Sequence, residues 1–132
     1  MPFSKAGVKN TYSNNVVTNG PHNCFLGGGN EAFAPAIAGV DCVFDNNTLD
    51  TCAFEAADTG AFYVCGQMAS AYVNRGNTIT RSIFKNVRNT VGTGVQGPSV
   101  QAIYLDDQVS EWVVFGCLFF AIHHNYSRRW LD

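Results

Sequence analysis

Charge is what this sequence has least of. Only 14% of its 132 residues are charged, the formal net charge is −2, and no block of like charges occurs. Holding phosphates needs a basic face, so nucleic acid is not expected as a partner. The same scarcity argues against a membrane surface gripped by a basic patch. Long apolar runs are missing too. The longest mostly apolar stretch, residues 112–122, is too short to cross a bilayer and reads as a buried strand pair. Met1-Pro2-Phe3-Ser4-Lys5 holds no apolar h-region, so no signal peptide is read and the compartment stays unknown. The five cysteines, Cys24, Cys42, Cys52, Cys65 and Cys117, include no CxxC spacing, which speaks against a zinc knuckle. Four of them sit among apolar residues in strand-like runs and read as buried small side chains, with disulfides as the alternative. Helix signal is absent as well. The Ala-rich stretch 31–40 is broken by Pro35 and Gly39 and reads as a loop or a single turn.

What is present is a hydrophobic share of 46% and a repeat. Two short patterns alternate along the chain. The first is a polar residue, any residue, then an aliphatic one: Asn15-Val16-Val17, Asn47-Thr48-Leu49, Asn77-Thr78-Ile79 and a degenerate Gly116-Cys117-Leu118. The second is small or polar, apolar, aromatic, then usually aliphatic: Asn23-Cys24-Phe25-Leu26, Ala61-Phe62-Tyr63-Val64, Ala102-Ile103-Tyr104-Leu105 and a weak Ala121-Ile122-His123-His124. Short β-branched or aromatic runs surround them, at Val16-Val17, Val43-Phe44, Thr78-Ile79-Thr80, Ile83-Phe84 and Val113-Val114-Phe115. Gly, Asn and Asp separate these runs.

Strands this short cannot make a stable sheet alone. Stacked in register they bond to equivalents about 4.8 Å above and below. The expected fold is therefore all-β: a right-handed parallel β-helix, a solenoid of about four coils. One segment spans 1–132, with an irregular lead over 1–13, coils over 14–124 and an irregular tail over 125–132. Stacking predicts an aliphatic column of Val17, Leu49, Ile79 and Leu118, an aromatic column of Phe25, Tyr63 and Tyr104, and an amide ladder of Asn15, Asn47 and Asn77. The rival is an antiparallel sandwich, which needs paired hairpin turns that the constant order of the two patterns does not supply.

Three stretches carry a family resemblance: Asp45-Asn46-Asn47-Thr48-Leu49 through Glu55-Ala56-Ala57-Asp58-Thr59-Gly60-Ala61-Phe62-Tyr63, then Asn74-Arg75-Gly76-Asn77-Thr78-Ile79, then Gln101-Ala102-Ile103-Tyr104-Leu105-Asp106-Asp107. They resemble right-handed parallel β-helix proteins of the carbohydrate-active type, similar to glycoside hydrolases and polysaccharide lyases. Gly20-Pro21-His22-Asn23 is similar to that family's P-H turn. Where the family usually has G-R-D-W, this chain has Gly66-Gln67-Met68-Ala69. The resemblance implies a polysaccharide or oligosaccharide partner and no cofactor, with calcium as an option if Asp58, Asp106 and Asp107 converge. It also implies a longer, often secreted parent, of which this chain is an incomplete piece. A solenoid cut at its ends exposes strand edges, so self-association through those ends is expected.

The candidate chemistry lies around the second pattern. Asp58 precedes one copy by three residues, with Glu55 just before it, and Asp106 and Asp107 close the next. Stacking would bring these carboxylates within the range that suits a pair flanking a glycosidic bond. One would protonate the leaving oxygen; the other would attack the anomeric carbon or activate water. Asp58 and Asp106 are the expected catalytic pair, with Asp107 as the substitute for Asp106. His22, Glu55 and Arg75 are expected substrate contacts, and Tyr63 and Tyr104 could stack on a sugar ring. The two aspartate stretches read equally as ordinary turns. Strand alternation puts Tyr104 and Asp106 on one face and Ile103 and Leu105 on the other, and leaves open which face is outside. The alternatives to hydrolysis are a non-catalytic glycan-binding module and a purely structural β-helix fragment.

Overall fold

A computed structural model of the chain describes residues 3–4, 8–28, 40–65, 76–90, 100–106, 109 and 111–122. Among them every regular element is a strand. In chain order these are β1 (Phe3–Ser4), β2 (Thr11–Ser13), β3 (Val16–Gly20), β4 (Phe25–Gly28), β5 (Val43–Asp45), β6 (Thr48–Cys52), β7 (Gly60–Cys65), β8 (Asn77–Thr80), β9 (Ile83–Val87), β10 (Gln101–Asp106), β11 (Trp112–Phe115) and β12 (Leu118–Phe120). They build three sheets in which every pairing is parallel. The first sheet holds β2, β5, β8 and β11; the second β3, β6, β9 and β12; the third β1, β4, β7 and β10. After β1 the chain visits first, second and third sheet in that order, again and again. The fold is thus all-β and wholly parallel, compatible with a parallel β-helix, and the antiparallel sandwich is excluded.

Each pass uses three strands, where the repeat in the sequence showed two. The third had been hidden because two different corners use the same polar-x-aliphatic pattern. Between the first and second sheets the chain turns in two residues, and the second of these stacks as Asn15, Asn47, Ser82 and Cys117. Asn47 Oδ1 accepts the Asn15 N–H and the Asn15 Nδ2, both at 2.9 Å. Its Nδ2 donates to the carbonyls of Tyr12 and Asp45. Asn77 stands at the other corner, entering the first sheet, where its Oδ1 accepts the Cys42 N–H at 3.0 Å. Both corners need an acceptor for a backbone N–H of the adjacent layer, so both select asparagine. The predicted ladder is therefore corrected: Asn15 and Asn47 stack, and Asn77 belongs elsewhere.

The side-chain columns shift with it. Val17, Leu49, Phe84 and Phe119 are in register in the second sheet, whereas Ile79 lies in the first sheet with Tyr12, Phe44 and Val114. Leu118 pairs with Ile83 and points away from that column. In the third sheet Tyr63 and Tyr104 are in register as expected, but Phe25 pairs with Phe62, one residue off, and Leu26 occupies the tyrosine column. A one-residue offset turns a side chain to the opposite face. Phe25 and Phe62 accordingly stack inside, ring centroids 4.7 Å apart, with Phe44 and Trp112 edge-on to Phe62. Each such ring pair adds about 0.5–1.5 kcal/mol beyond the area it buries.

The turns share one device. Three columns of residues take the left-handed conformation in layer after layer: Lys9, Asp41, Gly76 and Glu111 before the first sheet; Asn14, Asn46, Arg81 and Gly116 between the first and second; Asn19, Thr51, Asn86 and Ala121 within or just after the second-sheet strands. Asn and Asp tolerate this conformation best after Gly, which is why those residues punctuate the sequence.

The cysteine reading is corrected at two positions. Cys24 and Cys52 are buried, as expected of small apolar side chains, but they are joined as a disulfide with Cα atoms 5.6 Å apart. The bond ties the start of β4 to the end of β6, one layer on. Strand pairing also begins earlier than the repeat indicated: β2 and the Val8–Val40 bridge fall within the 1–13 stretch read as an irregular lead. The 125–132 tail lies outside the described residues.

Candidate functional site

The outer face of the third sheet gathers four of the expected site residues. In β7, Phe62 and Val64 are buried in the core and Tyr63 between them is half-buried on the other side. In β10, Ile103 and Leu105 pack against the core, which turns Tyr104 and Asp106 outward. The alternation left open by the sequence is resolved by packing in favour of outward tyrosines. Tyr63 and Tyr104 meet edge to face, with centroids 5.4 Å apart and an interplanar angle of 90°.

Each tyrosine reaches a carboxylate of the other's layer. Tyr63 donates from its hydroxyl to Asp106 Oδ2 at 2.7 Å, and Tyr104 donates to Asp58 Oδ1 at 3.0 Å. Asp58 and Asp106 are thus held by a crossed pair of phenols on one wall. Asp58 is exposed and sits in the left-handed region (φ 54°). The turn that carries it is fixed from below. Thr59 is buried, and its carbonyl accepts the Gln101 N–H at 2.9 Å. Gly60 lets β10 come close: a Cβ there would stand 2.8 Å from the Phe62 carbonyl oxygen and 3.0 Å from Tyr104 Cβ.

His22 and Glu55 lie on the connections that lead from the second sheet to this wall. Both are exposed. The Glu55 N–H donates to the Pro21 carbonyl at 2.9 Å, which lays the two connections over one another. His22 connects to the Asp58 turn through a residue that sequence reasoning passed over. Asn23 is buried; its Nδ2 donates to Thr59 Oγ1 at 2.5 Å and to the Gly60 carbonyl at 3.1 Å. A carbonyl can only accept, so Nδ2 must face Gly60 and Oδ1 must face His22, 2.5 Å from Nδ1. His22 Nδ1 therefore carries the proton, and Nε2 holds the lone pair in the neutral ring. The signal for this relay was available: Asn23 stands one residue before a buried Cys where the neighbouring layer has glycine.

No protein-family model, curated protein or solved structure matches the chain.

Two expected site residues, Asp107 and Arg75, lie outside the described residues. Among the described residues no three His, Cys, Asp or Glu side chains converge to hold a metal ion. The carboxylates with the clearest electrostatic partners are elsewhere, on the first and second sheets, and were not singled out from sequence. Asp45 is held down to about 2 from the ordinary 3.8, first by hydrogen bonds from Arg81 and then from Thr80. Arg81 Nε donates to Asp45 Oδ1 at 2.8 Å, and the Arg81 guanidinium is correspondingly raised. Asp50 is also lowered, chiefly by the hydrogen bond from Asn86 Nδ2 at 2.8 Å, with Lys85 Nζ at 3.1 Å. These pairs cross-link layers and lie away from the tyrosine wall.

Proposed function

We propose that the chain is a segment of a right-handed parallel β-helix, about four coils long, that acts on a polysaccharide in the manner of a glycoside hydrolase. Right-handedness follows from the near-universal hand of parallel crossovers. The observation that carries the functional reading is the crossed pairing of Tyr63 with Asp106 and Tyr104 with Asp58 on one wall. Aromatic faces and edges suit sugar rings. Asp58, just before β7, and Asp106, at the end of β10, lie on either side of the tyrosine rings, and a carboxylate pair is what glycoside hydrolysis uses. One, as the acid, gives its proton to the glycosidic oxygen as the C–O bond breaks. The other attacks the anomeric carbon or takes a proton from the water that does so. His22 and Glu55 would contact flanking sugars, and the resemblance adds Arg75 and Asp107 to the residues that would act on the glycan. The Cys24–Cys52 bond suits an oxidising compartment.

The test is Asp58→Asn and Asp106→Asn, made separately, with release of reducing ends from plant and bacterial polysaccharides as the readout. Each is expected to lower turnover by about 10²–10⁴-fold, the usual contribution of a general acid or base. Turnover that survives both changes overturns the reading. The second reading, a glycan-binding module without catalysis, is favoured by one observation: each carboxylate already accepts a tyrosine hydroxyl. Glycan binding lost in Tyr63→Ala and Tyr104→Ala, with no hydrolysis by the unmodified chain, would establish that alternative.

A further inference from the structure

On the tyrosine wall a buried carboxamide holds an exposed ring. Asn23 stands ahead of β4 and is only 2% exposed. Its Nδ2 donates to Thr59 Oγ1 and to the Gly60 carbonyl, and its Oδ1 faces His22 Nδ1 at 2.5 Å. The first two bonds join layers and serve the fold. The third covers no core, because His22 is exposed. It orders a side chain that would otherwise keep its rotamer freedom. The amide itself is firmly seated: the next residue, Cys24, donates its N–H to the Ala61 carbonyl at 3.0 Å and is bonded to Cys52.

The stacking sets this pair beside a carboxylate. Asn23 reaches Thr59 and Gly60 of the adjoining layer, so His22 and the Asp58 turn belong to neighbouring layers, which rise by about 4.8 Å. From the layer beyond, Tyr104 donates its hydroxyl to Asp58 Oδ1 at 3.0 Å. Three successive layers thus contribute His22, Asp58 and Tyr104.

We propose, resting on the glycan reading given above, that Asn23 is a positioning residue that holds His22 as a hydrogen-bond acceptor for a sugar hydroxyl in the subsite next to Asp58. With Nδ1–H committed to Asn23 Oδ1, the neutral ring offers a ligand only the Nε2 lone pair. A hydroxyl satisfies that lone pair. A carboxylate or a sulfate ester has no proton to give it and meets the acidic side chains of Glu55 and Asp58 as well. The subsite therefore takes a sugar unit whose hydroxyl is free at this place. Acylation or sulfation of that hydroxyl removes the donor.

Two measurements on the full chain test this. The first needs no ligand. Long-range proton–nitrogen correlation spectra of nitrogen-15-labelled protein distinguish the two neutral tautomers, and the signals lost in His22→Gln assign His22 among the three histidines. Above the pH at which the ring is seen to lose its proton, Nδ1–H is expected. Nε2–H, the form that free histidine prefers, overturns the proposal. Asn23→Ala should move the ring towards Nε2–H; where that variant fails to fold, the tautomer of the unmodified chain decides. The second measurement is affinity for neutral oligosaccharides of xylose, glucose and galactose, with KM and kcat for any that is cleaved. His22→Ala should weaken binding about tenfold, with the larger part of the change in KM rather than kcat. His22→Gln, whose amide oxygen accepts in place of Nε2, should lose only about threefold. His22→Arg, a donor without a lone pair, should lose as much as alanine. Arginine that binds as well as histidine, or glutamine no better than alanine, overturns the acceptor role. A chain that cleaves glycan while His22 carries Nε2–H overturns this proposal alone. A chain with Nδ1–H that neither binds nor cleaves any of the sugars overturns the glycan reading, and the acceptor role with it.

Discussion

Asp45 shows how a single residue couples this fold to pH. Its carboxylate takes hydrogen bonds from Thr80 Oγ1 at 2.7 Å and from Arg81, both in the next layer. Its folded value of about 2 lies below the ordinary 3.8. Folding therefore favours the ionised form, and the stabilisation is complete above the ordinary value and lost as pH falls through the folded one. Asp50 shifts in the same direction. The melting temperature is expected to fall between about pH 4 and pH 2, and Asp45→Asn to flatten that part of the profile. An unchanged acid limb in the variant would assign the transition to other carboxylates. Thr51 is the β-branched member of its left-handed column, standing where the adjacent layers have Asn19 and Asn86.

Single turns decide how the strands stack. Asn47 is buried, and its carboxamide makes four hydrogen bonds: two accepted from Asn15, and one donated to each of the Tyr12 and Asp45 carbonyls. Those groups lie at the hinge between the first and second sheets, where the Asp45 carbonyl also accepts the Asn14 N–H at 3.3 Å. Asn47→Ala is expected to cost about 3 kcal/mol in denaturant unfolding, since partners left unsatisfied cost about 1–3 kcal/mol each when buried. Asn47→Asp keeps the acceptor, loses both donated bonds and sets a negative charge against two carbonyls, so it should not rescue. A loss below about 0.5 kcal/mol in the alanine variant would mean that water replaces the ladder.

Across the whole molecule, cohesion comes from contacts between layers far apart in sequence. The Cys24–Cys52 bond closes a loop of 28 residues and ties neighbouring layers together. Loop-closure entropy for that length corresponds to about 3–4 kcal/mol. Reduction, or the Cys24→Ser, Cys52→Ser double variant, is expected to lower stability by that amount in equilibrium unfolding. Equal stability with and without reductant would show that Phe25, Phe62 and the rings around them hold the layers unaided.

Local pattern alone determined the class of this protein. β-branched and aromatic runs at Val16-Val17, Val43-Phe44 and Ile83-Phe84, parted by Asn, Asp and Gly, specify short strands, because side-chain period and turn chemistry act within a few residues. The same locality explains what was illegible. Asn77 and Asn47 look alike in sequence because two corners pose the same problem of an exposed backbone N–H. Phe25 fell one residue out of register because period-two alternation orders faces along a strand and says nothing of its offset from the next. Which face of Tyr63 and Tyr104 points outward, the pairing of Cys24 with Cys52 and the His22–Asn23–Thr59 relay were decided by tertiary packing. Each depends on how one layer settles on another, and that is a contest among all the side chains of both layers.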